Sequence, residues 1–333
     1  MSKKACVLGS GAWGSVISSL LADNGNDVTI YGIEKSQVEE INTSHTNSIF
    51  LGKEFCINKS VVATTDFDEA MQGAEIVVFA VPSFAIKEMA NKVKTKINKD
   101  TLIVNLAKGF DKQSKNTLGQ LIRSQLPREL QANVVSLLGP SFAEEVAQKQ
   151  YTAITASGLD AKFSLLTQQI FANDYFRIYT NDDVVGVEYC STLKNVIALA
   201  SGIADGLGFK VNTRSALITR GMAEIVRFVK YFGGKEETCF GLAGIGDLIL
   251  TCSSKTSRNY SAGYKIGSTS YEEFKKTNTK TVEGIFACEI AYEIARENNI
   301  YAPIINAIYN VIKNQSNPLD EIKKLMTSKL KSE

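Results

Sequence analysis

The sequence predicts an α/β domain with a mostly parallel, doubly wound sheet, followed by an all-α domain. In the first half, short apolar segments alternate with helix-like stretches, which is the order of a βαβ chain. The segment Ile76–Val81 is apolar at every position, as expected of a parallel strand that is covered on both faces. Beyond about residue 183 the strand pattern ends, and long helical periodicities replace it.

At 333 residues the chain is long for one hydrophobic core, so two domains are expected, at residues 1–183 and 184–333 with the change near Asn181-Asp182-Asp183. The strands expected in the first domain are Ala5–Leu8, Val28–Tyr31, Val61–Thr64, Ile76–Val81, Leu102–Leu106, Val134–Leu138, Tyr151–Ala156 and Phe176–Tyr179. Its expected helices include Ser83–Val93, Thr117–Leu126, Ser141–Gln148 and Ala161–Phe171. The helices expected in the second domain are Gly186–Ala204, Asn212–Tyr231, Gly284–Glu297, Pro303–Lys313 and Pro318–Leu330, the last behind Ser316-Asn317 as cap candidates.

A glycine-rich turn joins the first strand to the first helix. Its sequence is Gly9-Ser10-Gly11-Ala12-Trp13-Gly14, a G-x-G-x-x-G pattern between an apolar strand and a helical stretch. In this context the first glycine permits a tight turn, the second lets a pyrophosphate approach the backbone, and the third lets the helix pack on its strand. The helix N-terminus adds N–H groups and a positive dipole end. The pattern therefore predicts a Rossmann-type dinucleotide site.

Composition excludes several function classes. Hydrophobic residues make up 44% of the chain and charged residues 22%, as in an ordinary globular protein. Lys plus Arg number 37 and Asp plus Glu 35, so no broad electrostatic attraction to nucleic acid is expected. No apolar run reaches the length of about eighteen residues that a membrane span requires. The apolar stretch after Lys3-Lys4 is interrupted by glycines, and we interpret it as strand, turn and helix rather than a signal peptide.

Cysteine and histidine usage limits the available chemistry. The six cysteines form no C-x-x-C pair and there is one histidine, so no metal site is expected and the thiols are interpreted as reduced in a cytoplasm. That histidine, His45, lies in a polar stretch and is expected to be a solvated loop residue. A proton donor is therefore sought among the lysines.

One lysine lies in a helix that is apolar nearly all round. Lys194 shares a helix face with Cys190, Ser191, Ile197 and neighbouring small residues, which indicates a buried helix. Burial would disfavour its charge and lower its pKa. The alternative is a lysine that extends to water or pairs with a structural carboxylate. The helix alone leaves both interpretations open.

Two polar segments follow in the second half. Gly241–Leu250 is a glycine-rich turn that contains Asp247, whose common role would be an N-cap and whose functional role would be to orient a lysine or a substrate hydroxyl. Ser257-Arg258-Asn259 offers a planar guanidinium and neutral donors suited to phosphate. Here too capping is the alternative, with Asn259 starting a short helix towards Gly267.

Two further polar features follow neighbouring strands of the first half. Lys108 comes just after the strand that begins at Leu102, and Ser141 comes just after the strand that begins at Val134. Ligands of open α/β sheets bind at that edge, so a shared cleft is expected. The alternatives are a solvated lysine and a plain cap, with Ser141 as N-cap and Glu144 at capping-box spacing.

Together these segments resemble the soluble, prokaryotic-type NAD(P)-dependent glycerol-3-phosphate dehydrogenases, which reduce dihydroxyacetone phosphate to sn-glycerol 3-phosphate. The resemblance spans nearly the whole chain. The matching segments are Gly9–Gly14, Ala80-Val81-Pro82-Ser83, Ala107-Lys108-Gly109, Gly139–Glu145, Leu193-Lys194-Asn195, Gly202–Gly208, Gly244–Leu248, Ser257-Arg258-Asn259 and Val282-Glu283-Gly284.

By position, the resemblance implies that Lys194 is the catalytic acid or base and that Asp247 is its polar neighbour. The residues implied in substrate binding are Lys108, Gly139, Ser141, Lys194, Asp247, Ser257, Arg258 and Asn259. Those implied in cofactor binding are Ser10, Trp13, Lys108, Ala143, Arg258, Val282 and Glu283, which join Gly9, Gly11, Ala12 and Gly14 of the glycine-rich turn. Because hydride transfer to a ketone develops an alkoxide, a lysine that both stabilises charge and supplies a proton suits this reaction.

The chain departs from the family after the second strand. It reads Tyr31-Gly32-Ile33-Glu34-Lys35 where family members often carry a basic residue for the 2′-phosphate of NADPH. Glu34 lies about twenty residues beyond the glycine turn, where an acid can accept from a ribose hydroxyl. NAD(H) or NADP(H) is expected as cofactor, with NADH favoured by Glu34 and Lys35 leaving room for NADPH; the alternative is an exposed glutamate at a helix start.

Two other functions remain open at this stage. A β-hydroxyacid dehydrogenase joins a similar nucleotide fold to a helical domain and uses a lysine, but Ser257-Arg258-Asn259 suits phosphate better than carboxylate. The other alternative is a non-catalytic nucleotide-sensing protein. Loss of Lys194 or of the phosphate clamp would favour it, but the sequence contains both the lysine and the clamp. The resemblance further implies a cytoplasmic homodimer that supplies glycerol 3-phosphate for phospholipid synthesis.

Overall fold

Among the described residues, eight strands form one sheet in the order β3-β2-β1-β4-β5-β6-β7-β8. The computed structural model of the chain describes residues 2–279, 281–327 and 329. The strands are β1 (Lys4–Leu8), β2 (Asp27–Tyr31), β3 (Val62–Thr64), β4 (Ile76–Phe79), β5 (Leu102–Asn105), β6 (Val134–Leu138), β7 (Thr152–Gly158) and β8 (Phe176–Asn181). Neighbouring strands are parallel except β6 and β7, which are antiparallel. The mostly parallel sheet is therefore confirmed, and each expected strand is present with its ends within two residues of the prediction.

Helices cover both faces of this sheet. They are α1 (Ala12–Asp23), α2 (Lys35–Ser44), α3 (Ser48–Leu51), α4 (Phe67–Ala70), α5 (Ile86–Val93), α6 (Leu118–Gln125), α7 (Ala143–Ala147) and α8 (Ala161–Phe171). Along β1, Ala5 and Val7 belong to one buried apolar cluster, whereas Cys6 and Leu8 belong to a second. Because successive side chains of a strand point to opposite faces, a strand that is buried on both must be apolar throughout.

The second half of the chain is helical. Its helices are α9 (Val184–Gly206), α10 (Val211–Tyr231), α11 (Asp247–Ser253), α12 (Arg258–Ser268), α13 (Tyr271–Thr277), α14 (Glu283–Glu297), α15 (Pro303–Lys313) and α16 (Pro318–Met326). The chain divides into two compact units, the residues up to Ala107 with Asn116–Val184, and Lys108–Lys115 with the residues from Val185 onward. The segment Lys108–Lys115 therefore packs with the helical unit, although it lies in the first half of the sequence.

The predicted ends and caps of two helices can be compared with the structure. The helix expected over Ser141–Gln148 spans only α7, and its N-cap is Phe142, so the prediction of Ser141 as N-cap is wrong. The expected α16 cap is confirmed, because the side chain of Asn317 accepts from the N–H of Leu319. The predicted end of that helix, at Leu330, lies outside the described residues. None of the helices in the described part of the chain is both long and apolar enough to cross a membrane.

Glycines bring α9 and α12 into close contact. A Cβ on Gly202 would overlap the carbonyl oxygen of Tyr260, and a Cβ on Gly263 would overlap that of Leu199. Gly206 and Gly267 repeat the same arrangement one turn further on. Backbones this close leave no room for a side chain, so the four glycines determine how near α12 lies to the helix that carries Lys194.

Candidate functional site

The three glycines of the glycine-rich turn differ in how much space surrounds them. Gly9 has a φ of +113°, and a Cβ there would lie 2.7 Å from the carbonyl oxygen of Ala80. A Cβ on Gly14 would overlap the carbonyl oxygen of Gly9. A Cβ on Gly11, in contrast, would meet nothing within 4 Å. The first and third glycines thus serve the turn and the packing of α1, whereas the second leaves open space beside the backbone.

This open space lies at the start of α1. Gly11 is the N-cap of α1, and Ala12 and Trp13 form its first turn. First-turn N–H groups have no partner within their own helix, and together with the helix dipole they favour an anion. The hydroxyl of Ser10 donates to Oε1 of Gln37 at 2.9 Å, so that hydroxyl is already used within the protein. The local geometry fits the diphosphate of a dinucleotide.

Glu34 lies at the start of α2, a little beyond β2. It is the N-cap residue, it is exposed, and its carboxylate makes no capping hydrogen bond. Ile33 before it is 76% exposed, and Lys35 after it is exposed as well. A free carboxylate in this place can accept from a ribose hydroxyl.

The segment after β6 does not cap a helix with its serine. The Ser141 hydroxyl donates to the carbonyl oxygen of Gly139 at 3.2 Å. Ala143 begins α7, in which Glu144 is an exposed first-turn residue, so the predicted capping box between Ser141 and Glu144 is absent. Since β5 and β6 are parallel neighbours, the chain leaves both strands at the same edge of the sheet, as predicted.

In the helical unit, Asp247 lies between two lysines. Its Oδ1 accepts from Nζ of Lys194, and its Oδ2 accepts from Nζ of Lys108 at 2.8 Å. The side chains of Lys194 and Asp247 are 6% and 1% exposed, and that of Lys108 is 20% exposed. The three groups carry a net charge of +1 when ionised, in a place from which water is largely excluded.

Thr251 completes the environment of the buried ammonium. Its hydroxyl accepts from Nζ of Lys194 at 2.7 Å and donates to the carbonyl oxygen of Asp247 at 2.6 Å. An ammonium has three N–H donors, and these contacts use two of them. Burial lowers the pKa of Lys194 to about 8; the Asp247 carboxylate opposes that shift, and the Lys108 ammonium adds to it. The group is a cation near neutral pH that releases a proton more easily than an ordinary lysine.

An irregular turn presents Asp247 to the lysines. In the segment Leu242–Gly246, Gly244 leaves helical geometry with φ −93° and ψ −105°, and a Cβ on it would overlap the carbonyl oxygen of Cys239. Asp247 follows as the first residue of α11, whose N-cap is Gly246. The capping role expected for Asp247 is therefore wrong, and its carboxylate orients lysines instead.

The start of α12 is held against α9 and α14. Ser257 is the N-cap, and its side chain accepts from the N–H of Tyr260. The helix begins at Arg258, so the expectation that Asn259 starts it is wrong by one residue. Nδ2 of Asn259 donates to Oδ1 of Asn195 at 2.9 Å, and Oδ1 of Asn259 accepts from the N–H of Gly284 at 2.8 Å. Asn195 follows Lys194 directly, so these bonds link α12 to the helix of the buried lysine.

Three of the remaining predicted residues lie at the starts of α12 and α14. Arg258 is exposed, so its guanidinium is accessible to a ligand. Val282 is the buried N-cap of α14, and Glu283 begins that helix. His45 lies in the first unit, in the loop after α2 as expected, but it is half-buried rather than solvated.

Sequence reasoning missed two members of the site. Thr251 stands four residues after Asp247 on α11, and that helical spacing was the available signal. Asn195 was noticed only as part of a matching segment, and its contact with Asn259 joins residues 64 positions apart. One cluster of the helical unit consists of Lys108, Lys194 and Asp247, and a second consists of Asn195, Asn259 and Gly284. The other predicted site residues belong to the first unit, namely the glycine turn, Glu34, Gly139, Ser141 and Ala143.

Comparison with known proteins gives a consistent result over the whole chain. Residues 4–164 match the model of the NAD-dependent glycerol-3-phosphate dehydrogenase N-terminus, and residues 183–323 match that of its C-terminus. The chain is 44% identical to the glycerol-3-phosphate dehydrogenase [NAD(P)+] of Lactobacillus helveticus over 97% of this chain and 96% of that protein. It is 40% identical to the protein of that name from Staphylococcus aureus, with 99% of each covered. The crystal structure of glycerol-3-phosphate dehydrogenase from Coxiella burnetii superposes with a TM-score of 0.90 at 31% identity, covering 98% of this chain and 99% of that one.

Proposed function

The chain belongs to the NAD-dependent glycerol-3-phosphate dehydrogenase family, and we propose that it interconverts dihydroxyacetone phosphate and sn-glycerol 3-phosphate with Lys194 as the proton-transferring residue. It is an NAD(P)-dependent oxidoreductase that acts on a CH–OH group. The observation that supports the role of Lys194 is a buried ammonium that Asp247 and Thr251 hold in place, with one N–H left over for a substrate oxygen.

The first unit would hold the cofactor. The open space beside Gly11 and the first-turn N–H groups of Ala12 and Trp13 fit its diphosphate. We assign Gly9, Ser10, Gly14, Glu34 and Ala143 to the same cofactor, together with Lys108, Arg258, Val282 and Glu283. When it is bound, the nicotinamide supplies or accepts the hydride.

Lys194 would act on the oxygen of the reacting carbon. In ketone reduction its free N–H donates to the carbonyl oxygen, stabilises the negative charge that develops there, and then transfers the proton. A pKa of about 8 keeps most of the ammonium protonated near neutral pH and still makes the proton easy to transfer. In the reverse direction the neutral amine takes the proton from the alcohol.

Asp247 and Lys108 would set the electrostatics of this step. The carboxylate keeps the buried ammonium oriented and charged, since an unpaired cation in this environment would lose its proton. Lys108 occupies the other carboxylate oxygen and makes the cluster net positive, which favours an anionic substrate.

The phosphate of the substrate would bind at the start of α12. Ser257, Arg258 and Asn259 supply a guanidinium and polar groups at a helix N-terminus, where anions are favoured. Gly139 and Ser141 are assigned to the substrate from the first unit. Holding the remote phosphate orients the carbonyl, so that binding energy contributes to the rate.

We propose that NADH is the preferred cofactor. The exposed Glu34 carboxylate can accept from a ribose hydroxyl but would repel a 2′-phosphate. In kcat/KM measurements with both cofactors, NADH should be favoured, and Glu34→Ser should reduce the preference. A wild-type preference for NADPH would overturn the assignment.

We propose further that the protein is a cytoplasmic homodimer supplying glycerol 3-phosphate for phospholipid synthesis. None of the six cysteines, all of which the structure describes, forms a disulfide, as is usual for a reducing compartment. The family resemblance supports the dimer and the pathway.

Oxidation of NADH by dihydroxyacetone phosphate tests the proposed function directly. Wild type should turn over, and Lys194→Ala should lose activity by about two to four orders of magnitude while it retains cofactor binding. Lys255→Ala removes an exposed lysine and serves as the control. Normal turnover by Lys194→Ala would remove this lysine from the mechanism. Turnover of a β-hydroxyacid alone, or of no substrate, would support the two other functions instead.

A further inference from the structure

The Ser10–Gly11 peptide of the glycine-rich turn is held by residues from outside the turn. Nδ2 of Asn47 donates to the carbonyl oxygen of Ser10 at 2.7 Å. The Ser10 hydroxyl donates to Oε1 of Gln37. Gly32 lies beside this contact, where a Cβ would be 2.7 Å from the Ser10 hydroxyl oxygen. The carbonyl and the hydroxyl of Ser10 are thus both bound by residues of the α2–α3 segment.

Asn47 also reaches the far end of the turn. The same Nδ2 donates to Oγ of Ser15 at 2.8 Å, and the N–H of Ser15 donates to the carbonyl oxygen of Gly11 at 3.0 Å. Asn47 and Ser15 are both fully buried. One amide group therefore bridges the residue before Gly11 and the first turn of α1.

The amide can act only in this orientation. A carbonyl oxygen such as that of Ser10 accepts hydrogen bonds and cannot donate one, so the NH₂ of Asn47 has to face it. Oδ1 of Asn47 then points elsewhere, buried and without a partner among the described residues. A buried polar atom left in this way has a cost in stability, which the two donated bonds offset.

We propose that Asn47, supported by Gln37, is a positioning residue for the dinucleotide that acts through the Ser10–Gly11 peptide. That peptide is planar and trans, so the N–H of Gly11 points opposite to the carbonyl of Ser10. Holding the carbonyl on Asn47 therefore determines which way the N–H of Gly11 faces. Glycine allows many backbone conformations, and without the amide this peptide could rotate away.

The inference rests on the proposed function only in assigning a dinucleotide to the turn. It changes the expected role of Ser10: the hydroxyl is used by Gln37, and the backbone of the Ser10–Gly11 peptide is what faces a ligand. Gln37 lies on α2, whose N-cap is Glu34, so the same contacts connect the diphosphate turn to the residue assigned to the ribose.

Asn47→Asp is the test variant, because it keeps the size and replaces the donor by an oxygen that repels the Ser10 carbonyl. Asn42→Asp is the matched control: Asn42 lies on α2 and donates to the carbonyl oxygen of Ala63 at 2.8 Å, away from the glycine turn. Direct binding of NADH and NADPH is followed by fluorescence, and binding of ADP-ribose by competition. None of these measurements requires turnover of dihydroxyacetone phosphate.

Asn47→Asp should weaken binding of the preferred cofactor and of ADP-ribose by about tenfold, the effect of one lost hydrogen bond with added repulsion. The KM for cofactor should rise with it, while kcat and the KM for dihydroxyacetone phosphate stay within twofold. The control should bind as wild type does. Unchanged binding in a folded Asn47→Asp protein, or a loss of kcat at unchanged affinity, overturns the proposal.

If Asn47→Asp does not fold, Gln37→Met decides the question. It removes the acceptor of the Ser10 hydroxyl at nearly constant volume and should weaken ADP-ribose binding by about threefold. Unchanged binding by that variant would also overturn the proposal. A wild-type protein that binds the cofactor but reduces no ketone would reject the proposed function and leave the role of Asn47 measurable.

Discussion

At the scale of single residues, the proposed chemistry depends on how a lysine becomes a usable acid. Lys194 lies in a helix buried on all sides, and its pKa is lowered by that burial and by Lys108 while Asp247 raises it. Burial alone would produce a neutral amine, and full solvation would produce a cation that holds its proton too firmly. The pKa of Lys194, about 8, lies between these two limits.

The first prediction concerns pH. Because ketone reduction needs the protonated amine, kcat/KM for dihydroxyacetone phosphate should fall about tenfold per pH unit above about pH 8. Oxidation of glycerol 3-phosphate needs the neutral amine and should rise through the same pH. The second pKa of the substrate phosphate is about 6, so the phosphate does not change charge in this range. Rates that stay level from pH 7 to about 9.5 would contradict the assignment.

A second prediction separates the two neighbours of the ammonium. Asp247→Asn removes the group that raises the pKa of Lys194, so the descending edge of the reduction profile should move to lower pH. Lys108→Gln removes a group that lowers this pKa, so the edge should move to higher pH. Both variants should lose activity; the opposite shifts of the edge are the decisive observation, and shifts in one direction would refute the electrostatic account.

A third prediction concerns the phosphate. Arg258→Ala should raise KM for dihydroxyacetone phosphate, since charge-assisted hydrogen bonds contribute about 1.5–3 kcal/mol, or roughly ten- to a hundredfold in affinity. With dihydroxyacetone, which lacks the phosphate, kcat/KM at saturating cofactor should change little. Lys255→Ala controls for a general loss of positive charge nearby. Equal effects of Arg258→Ala on both substrates would show that the clamp is misassigned.

At the scale of elements, glycines decide where helices can lie. The motif Gly202–Gly208 was visible in the sequence as a matching segment, but its contact with α12 was not, because it depends on backbones brought together from distant parts of the chain. In the same way, Pro303 predicted where α15 begins. The sequence did not show that the backbone N–H groups of Ile304 and Ile305, in the first turn of that helix, donate to the Glu224 carboxylate on α10.

The fourth prediction compares two glycines of one turn. Gly14→Ala should destabilise the protein by about 1–3 kcal/mol, because its Cβ would overlap the carbonyl oxygen of Gly9. Gly11 has φ −75° and open space around it, so Gly11→Ala should preserve stability and weaken cofactor binding. Denaturant midpoints and cofactor dissociation constants check both. Equal destabilisation by the two variants would contradict this division of roles.

At the scale of the whole molecule, the chain exposes large apolar side chains, Phe240 at 63% and Ile249 at 52% among them. Both residues line the same cavity, and a contiguous exposed apolar patch of this kind often marks an interaction surface. The fifth prediction is therefore that sedimentation equilibrium at micromolar concentration gives twice the mass of one chain. A single-chain mass across the concentration range would exclude the homodimer.

The sequence by itself determined the order and type of the main elements, since strands buried on both faces must be apolar throughout and buried helices must repeat near 3.6 residues. It also predicted that Lys194, Arg258 and the glycine turn take part in the chemistry, because their residue types match what hydride transfer and phosphate binding need. Tertiary structure alone decided that Asp247 orients lysines rather than caps a helix, that Ser141 caps nothing, and that Thr251 and Asn47 complete their clusters. Such contacts join residues far apart in the chain, and local patterns carry no information about which distant partner burial will supply.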